Sequence, residues 1–195
     1  MTKVLILSSG STGVFQPGSP ESEAFFKDFP ECEFRVVASG SETQEDILWA
    51  DVVTGHPNPF LLSAATNLKW LHIQSAGVNG YTERSIFGNP DTIVTRTADV
   101  FSPARAEHAI GMMLALNRDF PRYIRNSSAH LWERIPAKYE INRSTVLLLG
   151  TGSIASEIVA RLSGFGCRIT GVRRDITKPA HGYDRIYPSG ELHSA

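Results

Sequence analysis

At 195 residues, 42% of them hydrophobic and 20% charged, with a formal net charge of −1, the chain has the make-up of a folded globular protein, neither disordered nor fibrous. Its near-neutral balance and dispersed arginines and lysines leave no basic footprint, so no nucleic-acid partner is expected. No apolar stretch approaches the roughly 20 residues of a membrane span, and Val4-Leu5-Ile6-Leu7 is too short for a signal-peptide core; the expectation is a cytoplasmic protein with no membrane partner.

In chain order, Val4 to Leu7 reads as a buried strand running into the turn-rich Ser8-Ser9-Gly10-Ser11-Thr12-Gly13. A helix is expected over Glu21 to Phe29, a strand over Phe34 to Ala38, a helix over Thr43 to Ala50 and a short strand over Asp51 to Thr54. A helix from Pro59 to Leu68 then leads to strands at Trp70 to Gln74 and Thr92 to Thr97. Strands alternating with helices of this length imply βαβ crossovers and a parallel sheet, hence an α/β fold. Cys32 and Cys167 stand far apart and in no Cys-x-x-Cys pair, so both are expected to be buried free thiols.

Beyond Phe101 the pattern changes. Ser102-Pro103 reads as an N-cap followed by proline at the first helical position. The long helix after it carries Ala106, Ala109, Ile110, Met113 and Leu114 at helical spacing, and Pro121 should kink or end it. After the polar stretch Asn126 to Arg143 comes the strand Thr145 to Leu149. A boundary near Phe101 therefore separates a unit over 1–101 from a second one over 102–195.

The strand over Thr145 to Leu149 leads straight into Gly150-Thr151-Gly152-Ser153-Ile154-Ala155 and a helical Ser156 to Leu162, which is G-x-G-x-x-A in a strand–turn–helix setting. Gly150 permits the tight turn, Gly152 lets backbone approach a pyrophosphate, and Ala155 lets the helix pack closely on the sheet. Amides at the helix start then face phosphate, helped by the helix dipole. Gly150, Thr151, Gly152, Ser153 and Ile154 are accordingly candidate cofactor-binding residues. The next strand, Cys167 to Val172, ends in Arg173-Arg174-Asp175. About 20 residues past such a fingerprint an acid would hold the ribose 2′-hydroxyl of NAD. Arg173 and Arg174 stand there instead, and guanidinium pairs with a 2′-phosphate, so NADP (NADPH) is the preferred cofactor. The opposing reading makes the arginines a solvated strand end and lets Asp175 hold an NAD ribose.

Thr145 to Arg174, TVLLLGTGSIASEIVARLSGFGCRITGVRR, resembles the fingerprint region of the D-isomer-specific 2-hydroxyacid dehydrogenases, closest in style to their glyoxylate/hydroxypyruvate reductase branch. Leu68 to Val78, LKWLHIQSAGV, resembles the family's strand and substrate loop, and Ala106-Glu107-His108 its domain-linking segment. The resemblance implies the amino-terminal part of a flavodoxin-like substrate domain, then a linker helix and an incomplete Rossmann-type doubly wound parallel sheet. It also implies hydride transfer to a small 2-keto acid (or from the 2-hydroxy acid), with the substrate carboxylate on the amides of Ala76, Gly77 and Val78. Read physically, the glycine of Ser75-Ala76-Gly77-Val78 would let successive amides converge as an anion nest. A homodimeric parent built on the long helix is expected from the same resemblance.

The family's catalytic arginine, glutamate and histidine follow the strand ending at Arg173, and no residue here matches them; His193 falls in a different segment. The chain is therefore expected to be a truncated, inactive portion of such an enzyme, with no catalytic residue of its own. The alternative is a non-catalytic nucleotide-binding or interaction fragment. A methyltransferase would want an acid where the arginines stand. Gly10 to Gly13 lacks the Gly-Lys-Ser/Thr of a phosphate loop, no His-x-x-x-His metal spacing occurs, and no Gly-x-Ser-x-Gly elbow is present. His108, beside Glu107, is expected to pack or hydrogen-bond.

Overall fold

The computed structural model describes residues 1–9, 15–136 and 139–194, so the turn at Gly10–Gly13 lies outside the described residues. It divides into two compact units, Met1–Ala98 and Asp99–Ala195.

In the first unit, β1 (Thr2–Ser8), β2 (Cys32–Ala38), β3 (Val52–Thr54), β4 (Trp70–Ile73) and β5 (Ile93–Arg96) form one parallel sheet in the order β2-β1-β3-β4-β5. That is the flavodoxin-like order. Leu5, Ile6 and Leu7 on β1 are buried, because this strand has neighbours on both sides and cover on both faces; hence its unbroken apolar run. Helix α1 (Pro20–Lys27) starts where the Ser19 hydroxyl accepts from the Ser22 amide, with Pro20 in the first turn. Helix α2 (Gln44–Trp49) starts on a capping box between Thr43 and Asp46.

One expected helix is not formed as such. Pro59–Ala64 is a 3-10 run that stops at Ala65, short of Leu68. The amide of Gly88 donates to the Leu62 carbonyl at 2.8 Å, taking an acceptor that a continuing helix would have used.

In the second unit, α3 (Ser102–Asn117) and α4 (Phe120–Ser128) precede a parallel sheet of β6 (Thr145–Leu149), β7 (Arg168–Arg173) and β8 (Arg185–Pro188), with α5 (Ser153–Leu162) crossing from β6 to β7. Ser102 is the first helical residue and not the cap; its hydroxyl bonds the Ser153 hydroxyl at 3.1 Å. The long helix ends at Asn117, and Asp119 turns left-handed (φ 53°) so that Pro121 falls in the first turn of α4. Ile110, Ile141, Val159, Leu162 and Ile169 form the core, with Val146 and Leu148 against it, while Leu149 is exposed. His108 is exposed, and it is Glu107 that reaches α5, through Arg161 at 3.1 Å. Cys32 and Cys167 are free and half-buried rather than buried. No helix among the described residues is long and apolar enough to cross a membrane.

Candidate functional site

The turn after β6 is set by one backbone requirement. Gly150 adopts φ 99°, which a side chain disfavours, and its amide donates to the Val172 carbonyl at 2.8 Å, tying the turn to the end of β7. Gly152 then caps α5 with no side chain to occupy the first amides, and the first helical hydrogen bond returned to it comes from Ser156. The amides of Ser153, Ile154 and Ala155 thus begin a helix without an intrahelical acceptor. A Cβ placed at Gly150 or Gly152 would meet nothing within 4 Å, so the approach to these amides is open. Ala155, 9% exposed, sits against the sheet.

Gly150, Thr151 and Gly152 line one side of a cleft of about 780 Å³, and Val172, Arg173, Arg174, Asp175 and Lys178 line the other. A neighbouring hollow of about 370 Å³ holds Ser153 and Ile154 with Gly150 and Gly152. The residues singled out in the fingerprint and at the end of the second strand therefore converge. Arg173 is half-buried and donates to the Lys178 carbonyl at 3.2 Å; Arg174 is exposed. Asp175 is already engaged. One of its oxygens accepts from the Thr177 hydroxyl at 2.6 Å and the Thr177 amide at 3.1 Å, and the other lies 3.8 Å from Lys178 Nζ. Those bonds from Thr177, hydroxyl foremost, hold the Asp175 carboxyl below its usual range, with the charges of Lys178 and Arg173 adding to the effect. Two guanidinium groups and an ammonium against one carboxylate give this wall a net positive charge. A phosphate-rich nucleotide suits the donors present.

Lys178 was not singled out in sequence. Its signal is the Asp175-x-Thr177 turn, which folds the chain back and carries Lys178 to the cleft. Gly171 was missed as well. A Cβ there would fall 2.8 Å from the Thr151 methyl and 2.9 Å from the Tyr183 ring, so the bare strand lets Thr151 seat. Burial pushes the Tyr183 phenol up, partly offset by the charge of Arg173.

In the first unit the loop after β4 has a different construction from the expected one. Gly77 is not among the left-handed glycines, so no nest of alternating handedness forms at Ala76, Gly77 and Val78. Side chains hold the loop instead. Arg96 donates through Nη1 to the Ala76 carbonyl, and the Ser75 hydroxyl donates to the Gly77 carbonyl at 2.8 Å. His56 Nε2 lies 2.9 Å from the Ser75 hydroxyl, and Val78 accepts from the Tyr81 amide at 3.0 Å. Val78 and Arg96 border a cleft of about 360 Å³ together with Tyr81 and Arg84. Burial raises the Tyr81 phenol, with the Glu42 charge adding to the effect, and its hydroxyl donates to the Pro57 carbonyl at 2.7 Å.

Residues 110–192, which hold the whole second sheet and the cleft, match the family model of the D-isomer specific 2-hydroxyacid dehydrogenase NAD binding domain. Through this segment the chain is similar to the D-isomer specific 2-hydroxyacid dehydrogenase family. It is 28% identical over 160 residues to a hydroxypyruvate reductase of Thermotoga maritima, covering 82% of this chain and 47% of that one. It is 24% identical over 169 residues to the D-3-phosphoglycerate dehydrogenase of Rattus norvegicus, covering 85% of this chain and 28% of that one. The chain thus spans less than half the length of these two relatives. A solved 2-hydroxyacid dehydrogenase family protein from Aeromonas salmonicida superposes with a TM-score of 0.75 at 26% identity, over 99% of this chain and 60% of its own. The α/β fold with parallel sheets is that of the 2-hydroxyacid dehydrogenases.

Proposed function

We propose that the chain supplies the cofactor cleft and the substrate loop of a cytoplasmic, homodimeric, NADPH-linked reductase of small 2-keto acids such as glyoxylate or hydroxypyruvate. The observation that carries the cofactor choice is the wall of the cleft: Arg173, Arg174 and Lys178 surround an Asp175 whose oxygens are taken by Thr177 and Lys178. On this reading the amides of Thr151 to Ile154 hold the pyrophosphate and the arginines hold a 2′-phosphate. The open backbone at Gly150 and Gly152 fits that group. A bound nicotinamide cofactor supplies a hydride. The amides of Ala76, Gly77 and Val78 in the Met1–Ala98 unit hold and orient the substrate carboxylate. The substrate class is supported by the name of the Thermotoga relative. Exposed Met112 and Leu116 on α3, with Ile124 on α4, support a dimer face.

Fluorescence and calorimetric titration with NADPH and NADH tests the reading. NADPH should bind more tightly than NADH, and Arg173→Ala/Arg174→Ala should remove most of that preference, about tenfold or more for two charge-assisted contacts. An NADH preference that survives the double substitution would refute the 2′-phosphate role. The second reading is a non-catalytic nucleotide-binding or interaction role; measurable hydride transfer would exclude it.

A further inference from the structure

We infer that Arg96, Ser75 and His56 are positioning residues that turn the Gly77 and Val78 amides outward to receive a carboxylate, an inference that rests on the reading of Ala76–Val78 as the substrate loop. In a trans peptide the carbonyl and the following N–H point in opposite directions. The Ala76 carbonyl and the Gly77 amide belong to one peptide unit, and the Gly77 carbonyl and the Val78 amide to the next. Arg96 holds the first carbonyl and Ser75 the second. Both amides are thereby directed away from the side chains that grip the loop, and no acceptor for the amides of Ala76, Gly77 or Val78 occurs among the described residues.

The chemistry of the grip fits the role. A hydroxyl has one proton, and Ser75 spends it on Gly77, so toward His56 it accepts, from Nε2–H at 2.9 Å. His56 therefore fixes the Ser75 rotamer that fixes the peptide. Arg96 brings a full charge to the Ala76 carbonyl, which polarises that peptide and makes Gly77 N–H a stronger donor. Among the described residues no carboxylate pairs with Arg96, so its field at the loop is not cancelled locally. Strand register supplies the placement. Ile73 on β4 pairs with Arg96 on β5, so the guanidinium starts beside the residue from which the loop departs.

The test is a titration of the ¹⁵N-labelled full chain with oxamate, a 2-keto acid analogue with one carboxylate, followed at the Gly77 and Val78 amides. In the wild type both amide protons should move downfield and saturate. Arg96→Met should weaken oxamate about tenfold, as expected for loss of one charged hydrogen bond, Ser75→Ala should weaken it less, and Arg96→Lys should recover part of the loss. Unchanged Val53 and Leu71 signals report that the core is intact; should Arg96→Met disturb them, Arg96→Lys and Ser75→Ala decide the matter. Wild-type affinity in the substituted chains overturns the positioning role and leaves the loop as a carboxylate site. No movement of Gly77 or Val78 in the wild type overturns both.

Discussion

At the scale of single residues, two glycines at or next to the cleft between Gly150–Gly152 and Arg173–Lys178 are needed for different reasons. Gly150 is needed for its left-handed turn, with open space where a side chain would go. Gly171 sits in a regular strand and is needed for room, since a methyl there would press on Thr151 and Tyr183. Gly171→Ala should therefore cost about 1–3 kcal/mol of stability, the usual range for overpacking, and displace Thr151 from the cleft. Urea denaturation measures the first and NADPH titration the second; an unchanged midpoint would show that Tyr183 yields freely. The turn glycine was readable from its motif. The strand glycine was not, because what crowds it comes from a loop and a turn on either side of it in sequence.

Among elements, Asp51 shows how the strands of the first sheet start in step. Its carboxylate accepts the Lys3 amide at 3.0 Å at the start of β1 and meets Lys69 Nζ at 2.9 Å just before β4. Its own amide and carbonyl bond Lys3 and Lys69 as well. The Lys3 amide first, then the Lys69 ammonium, hold the Asp51 carboxyl below its ordinary value. The sign follows. A carboxyl with a lowered folded pKa contributes stability above its unfolded pKa, and that contribution is lost as pH falls through the folded one. Stability should decline as pH falls below about 5, and Asp51→Asn should flatten part of that decline while lowering stability at neutral pH. Denaturant midpoints across that range check it; parallel wild-type and Asp51→Asn profiles would contradict it. The sequence pattern places a strand start at Asp51, one residue ahead of β3, yet the partners lie 48 residues before it and 18 after it, and only the register brings them together. The same limit applied at Ser102, read as a cap although its hydroxyl pairs with Ser153, and at Pro59–Ala64, where Gly88 takes the Leu62 carbonyl. Local pattern reports helix and strand period well; it carries nothing about acceptors that distant residues claim.

For the whole molecule, alternation of strands and helices gave the parallel α/β architecture, and the fingerprint in its setting pointed to the cleft. The grip on the Ala76–Val78 loop was hidden, since it depends on β4 and β5 lying side by side. The two units have separate cores, and they are unequal: among the described residues Leu5, Leu7, Ile47, Leu62, Leu68, Leu71 and Ile73 are fully buried in the first, whereas Leu162 alone of the large side chains is so in the second. Melting should accordingly break two-state behaviour, with a calorimetric enthalpy exceeding the van't Hoff value and the Asp99–Ala195 unit giving way first. Saturating NADPH at 100 times its dissociation constant should raise only the lower transition, by about 2.7 kcal/mol of linkage free energy. A single transition with equal enthalpies would mean that the units melt as one. Two would make heat capacity a reporter of cofactor occupancy, one unit serving as the internal reference for the other.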